Sequence, residues 1–61
     1  MPMVRIELFK GRTREQKAKA AKEVTEALAR TIGSRPEATQ IIFVDVEKAD
    51  WADSGKLCDE G

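Results

Sequence analysis

The first residue of this chain able to do chemistry is a proline placed directly after Met1. A small second residue such as proline permits aminopeptidase removal of the initiator methionine, which leaves Pro2 with a secondary amine. A free α-amino group has a reference pKa of about 7.7–8.0. Burial and a nearby cation both disfavour its protonated form and bring it towards neutrality. There it takes and gives a proton without histidine, of which the chain has none. Arg12 is a bidentate clamp for a carboxylate by chemistry, and a solvent-facing loop arginine by default. Trp51, the only tryptophan, lies in an otherwise polar tail. It reads either as a core or interface anchor or as the wall of an apolar pocket.

The remaining inventory is thin. There is no tyrosine, no glycine-rich phosphate loop and no cluster of metal-ligand type, so neither a metal nor a cofactor is expected. Asp45, Glu47, Asp50 and Asp53 form an acidic run that reads as a solvated face. Cys58, with no basic neighbour closer than Lys56, reads as an inert thiol.

The elements that must position these residues are legible. Residues 3–9 alternate, with Val4, Ile6 and Leu8 on one face and Met3, Arg5, Glu7 and Phe9 on the other, which predicts a strand. Pro2 therefore sits at a sheet end rather than on a loose tail, and Arg12 falls in the turn that Gly11 opens. Thr13 and Gln16 have capping-box spacing. From Arg14 to Ile32 good helix formers dominate, with a mostly alanine stripe at Ala20/Ala21, Val24, Ala27/Leu28 and Thr31/Ile32. Gly33 fits a left-handed C-cap and Pro36 prevents continuation. Residues 39–46 predict a second strand with both faces covered. Strand, helix and strand make a βαβ unit with parallel strands. Asp53-Ser54-Gly55 predicts a turn closing a short hairpin between Trp51 and Leu57.

A chain of 61 residues is expected to be a single domain, residues 1–61, and buries too little surface to be stable alone. One cysteine and no histidine remove the disulfide and zinc remedies, which leaves self-association. Two strands and one helix also leave an apolar sheet face and two edges uncovered. Eleven basic against eleven acidic residues give a net charge of +0, so no nucleic-acid partner is expected. The cations at Lys10, Arg12, Arg14, Lys17, Lys19 and Lys22 read as a solvated helix face. No apolar run approaches the ~20 residues of a membrane span, and no signal-peptide core is visible, so a cytoplasmic setting is expected.

The stretch from Pro2 through Val24, with Gly11-Arg12-Thr13 followed by Glu15-Gln16-Lys17, resembles the 4-oxalocrotonate tautomerase family. The length, the βαβ order and Trp51 followed by Ser54-Gly55-Lys56-Leu57 extend the resemblance over nearly the whole chain. It implies an α/β fold and a cofactor-independent isomerase. Pro2 would move a proton between carbon and oxygen of a small 2-hydroxydienoate or 2-keto acid, as general base and then acid. Arg12, arriving from a neighbouring subunit, would bind the distal carboxylate, and Trp51 would take the family's aromatic position. A homohexamer, built as a trimer of dimers, and a place in aromatic hydrocarbon catabolism are further implications.

One position departs. The family's second arginine, which polarises the keto oxygen, falls without gaps on Gln40, and glutamine donates a hydrogen bond but brings no charge. Arg5 and Arg35 are the nearby stand-ins. The family's glycine-rich turn is here Ala52-Asp53-Ser54-Gly55. Two other readings keep the fold. In one, protonated Pro2 assists addition of water to an unsaturated acid, as in related hydratases and dehalogenases, although no carboxylate is clearly placed to activate the water. In the other, loss of the second arginine marks a non-catalytic assembly subunit.

Overall fold

A computed structural model describes residues 2–60. In chain order it has β1 (Met3–Phe9), α1 (Arg14–Ile32), β2 (Gln40–Val46), β3 (Ala52–Asp53) and β4 (Lys56–Leu57). Single 3-10 turns at Pro36–Ala38 and Lys48–Asp50 precede β2 and the hairpin. The mixed α and β architecture, with its βαβ order and C-terminal hairpin, is the one the sequence predicts.

β1 and β2 pair in parallel, with Val4 beside Ile41, Ile6 beside Phe43 and Leu8 beside Asp45. Because side chains alternate along a strand, these six share one face. α1 lies over that face, half-burying Ala20, Ala21, Val24, Ala27 and Leu28. Both ends of the helix are fixed by local chemistry. The Thr13 hydroxyl accepts from the Gln16 N–H at 3.1 Å, and the Gln16 side chain accepts from the Thr13 N–H at 2.9 Å. At the other end Gly33 takes the left-handed conformation, φ 70°, and its N–H reaches the Leu28 carbonyl.

The expected stripe runs one turn too far. Thr31 and Ile32 are exposed, Ile32 at 67%. Nineteen helical residues rise about 28 Å, whereas seven strand residues span about 23 Å, so the last turn overhangs the sheet. β2 begins at Gln40 rather than Thr39, because Thr39 caps the 3-10 turn that Pro36 starts. The hairpin forms around Ser54 and Gly55, both at positive φ (54° and 81°), the pattern of a two-residue type I′ turn. Trp51 joins it by accepting from the Cys58 N–H at 2.8 Å.

The expectation that both faces of β2 are covered is met on one face only. The chain itself covers the helix side and leaves Met3 and Ile42 on the other face exposed at 53% and 42%. Among the described residues no side chain is buried. The accessible surface is 4938 Å², against about 3,950 Å² for a compact monomer of this mass. The radius of gyration is 14.5 Å, against about 10.5 Å for a closed domain of this length. This is an open layer with a half-built core.

Candidate active site

Parallel strands start at the same end of a sheet, and that separates the candidate residues into two groups. Pro2 and Gln40 lie at the amino end. The Gln40 N–H donates to the Pro2 carbonyl at 3.1 Å, which extends the ladder one residue beyond the Met3–Gln40 pair. Pro2 is half-buried, so its position is set by main-chain pairing rather than by a tail. Removal of Met1 concerns a residue outside those described.

Arg12 and Trp51 lie at the carboxyl end, separated from Pro2 by the length of β1, about 23 Å. The Trp51 ring packs on Phe9 with centroids 4.7 Å apart and planes tilted by 58°. The Lys48 ammonium stands 5.7 Å from the Phe9 ring centre, within cation–π range. Arg12 borders a cavity of about 270 Å³ between the helix and the sheet, lined also by Ile6, Leu8, Ala20, Phe43 and Lys17. Within one chain, then, Pro2 meets Gln40, and Trp51 meets Phe9, but the two groups do not meet each other.

Of the stand-ins for the missing arginine, Arg5 is engaged with Glu7 at 3.5 Å on the sheet face away from the helix. Arg35 lies in the connection that delivers Gln40. Its carbonyl accepts from the Thr39 hydroxyl at 2.9 Å, which keeps its backbone at the amino end.

One expectation about charge needs correction: Lys17 is not part of a solvated helix face, while Asp45 stays exposed but is paired. The Lys17 ammonium donates to Asp45 Oδ2 at 2.9 Å, with the side chains 25% and 40% exposed. The cause is the register, which puts Asp45 on the helix-covered face beside Leu8. Glu47 of the same run accepts from Lys10 at 3.1 Å, but that pair is well exposed. Sequence reasoning also missed Phe9 as the partner of Trp51. Its signal was available, since Phe9 is the one aromatic on the outward face of β1.

Among the described residues no group of three acidic, cysteine or histidine side chains converges as a metal would require, and no helix is long and apolar enough to cross a membrane.

Known proteins share the fold and much of the sequence. The model of a family described as tautomerase enzyme matches residues 2–60. A probable tautomerase of Streptococcus pneumoniae serotype 4 is 46% identical over 57 residues, covering 93% of this chain and 95% of that protein. A probable tautomerase of Ralstonia nicotianae is 35% identical over 60 residues, covering 98% and 92%. Among solved structures, YwhB, a homologue of 4-oxalocrotonate tautomerase, superposes with a TM-score of 0.93 at 32% identity and 98% coverage of both chains. A match over all the described residues, together with close relatives of the same length and fold, leaves one assignment: the chain belongs to the tautomerase family, among the homologues of 4-oxalocrotonate tautomerase.

Proposed function

We propose that the chain is a cofactor-independent keto–enol tautomerase in which the N-terminal amine of Pro2, exposed by loss of Met1, carries the proton. The substrate is a small 2-hydroxydienoate or 2-keto acid. The amine removes the proton from oxygen or carbon of the enol system and returns it to the other atom, so one group serves as base and then acid. Arg12 holds the substrate carboxylate through a charge-assisted bidentate contact. Trp51 closes the apolar wall, and Gln40 donates a neutral hydrogen bond towards the oxygen on which charge develops. Arg35, carried by the segment that leads into Gln40, is the better-placed of the two stand-in cations, because Arg5 is already occupied by Glu7.

The observation that carries this reading is the separation of the candidate residues. A proline fixed at one end of a parallel sheet cannot reach an arginine at the other end of the same chain. It can reach the arginine of another copy, and a chain with no buried side chain of its own among those described needs other copies in any case. The site is thus proposed to form between subunits of a homo-oligomer, most simply the hexamer of the family. Its apolar surface includes Met3 and Ile42, and burial of each such side chain contributes about 1.5–3 kcal/mol.

The test joins three measurements on one preparation. Intact mass should show Met1 absent, sedimentation should show an oligomer at micromolar concentration, and the enol of a simple 2-keto acid should ketonise faster than in buffer. An active protein that retains Met1 overturns the proline mechanism. A folded monomer overturns the shared site. An oligomer without activity on any enol acid supports the assembly-only alternative.

A further inference from the structure

A lysine side chain ordinarily points to water. Lys10, in the turn after β1, and Lys19, on α1, do so, with side chains 68% and 81% exposed, whereas that of Lys17 is only 25% exposed. Lys17 borders the cavity beside Arg12, and its ammonium crosses to Asp45, a residue 28 positions away. Asp45 in turn occupies a position on the helix-covered face where the pattern of Val4, Ile6 and Ile41, Phe43 calls for an apolar residue. A carboxylate on that face is accommodated by Lys17.

The backbone around Arg12 is held on both sides. Before it, the Lys10 N–H donates to the Val46 carbonyl at 3.0 Å. After it, the Thr13 N–H, which belongs to the same peptide unit as the Arg12 carbonyl, donates to Gln16 at 2.9 Å. The Lys17 N–H donates to the Thr13 carbonyl at 3.1 Å, so the bond from Lys17 to Asp45 ties this cap to β2. The turn carrying Arg12 thereby has its exit anchored to the sheet. Among the described residues Arg12 itself makes no ion pair.

We infer that Lys17 and Asp45 are a positioning pair for Arg12, fixing the helix start against β2 so that the guanidinium is presented to a substrate carboxylate; this rests on Arg12 being the clamp proposed above. The pair also satisfies Lys17 internally, so the charge offered to the ligand is that of Arg12.

The experiment measures KM and kcat for one dicarboxylic enol acid in the assembled protein. Lys17→Met keeps the stem and removes the charge; KM should rise about fivefold while kcat changes less than about twofold. Asp45→Asn should do the same, and it carries the test if Lys17→Met does not fold. The reversed pair, Lys17→Asp with Asp45→Lys, should bring KM back to within about twofold of the parent. Lys10→Met, which breaks the exposed pair with Glu47, should leave KM unchanged. The deciding arm is the Arg12→Ala background, where Lys17→Met should raise KM no further. Additive losses there, or a rise no larger than that of Lys10→Met, would overturn the inference. If Arg12→Ala alone leaves KM unchanged, the clamp reading fails, and that failure is seen independently of Lys17.

Discussion

The two ends of the β1–β2 sheet are built by different means. At the amino end, one main-chain hydrogen bond of 3.1 Å joins Pro2 to Gln40, and no ion pair joins them. At the carboxyl end, Phe9 and Trp51 pack at a tilt, Lys48 stands over the Phe9 ring, and the Lys17–Asp45 ion pair ties the helix start beyond Arg12 to β2. A reactive main-chain amine needs only to be held still, and sheet pairing does that without side chains. Recognition of an anion needs a long side chain, which must be oriented by neighbours. Because the strands are parallel, each end collects its own kind of group, and the proposed site needs a second copy to join them.

The largest effect should come from the amino end. Pro2→Leu, whose large second residue keeps Met1 in place, turns the reactive nitrogen into an amide with no basic lone pair. Activity on an enol acid should fall roughly 100- to 10,000-fold, the range for loss of a general base. Retained activity would remove Pro2 from the mechanism. At the carboxyl end, Arg12→Ala should raise KM about 10- to 100-fold for a dicarboxylic enol acid, from loss of a charge-assisted contact of about 1.5–3 kcal/mol. The rise for a monocarboxylic substrate tests the same contact: equal effects on both substrates would mean that Arg12 does not bind the distal carboxylate.

Gln40→Arg sharpens the contrast by giving the amino end a charge. A well-placed donor to a developing oxyanion contributes roughly 2.7–4 kcal/mol. A transplanted arginine seldom finds that geometry, so a gain in kcat of about tenfold is expected, equivalent to about 1.4 kcal/mol. A loss of activity would place Gln40 outside the reacting region. The smallest effect belongs to the frame of the carboxyl end. Thr13→Ala removes the N-cap and should cost about 1 kcal/mol of stability, read as a lower melting temperature.

Local features were legible in the sequence because their causes are local. Alternation at residues 3–9, the Thr13–Gln16 spacing and the Ser54-Gly55 turn each depend on residues close in the chain, and the structure has all three. The overhang of Ile32 was hidden because it depends on the ratio of helix rise to strand length, which periodicity does not carry. The Lys17–Asp45 bond was hidden because 28 residues separate the partners and only the register of β2 puts Asp45 under the helix. Residue types named Pro2, Arg12 and Trp51 as candidates. Their distribution between the two ends follows from topology, and a single chain's pattern shows nothing of what a second copy brings.

The measurement that tests the shared site most directly mixes two crippled chains. Pro2→Leu lacks the reactive amine and Arg12→Ala lacks the clamp, so with a dicarboxylic enol acid held well below the parent KM each homo-oligomer should keep no more than about a tenth of the parent activity. Unfolding and refolding them together in equal amounts should give mixed assemblies in which some sites pair an intact Pro2 with an intact Arg12 from another chain. Random mixing gives about a quarter of sites of that kind, and activity should recover to about that fraction of the parent. Mixed assemblies that form but recover nothing would contradict a site built between chains.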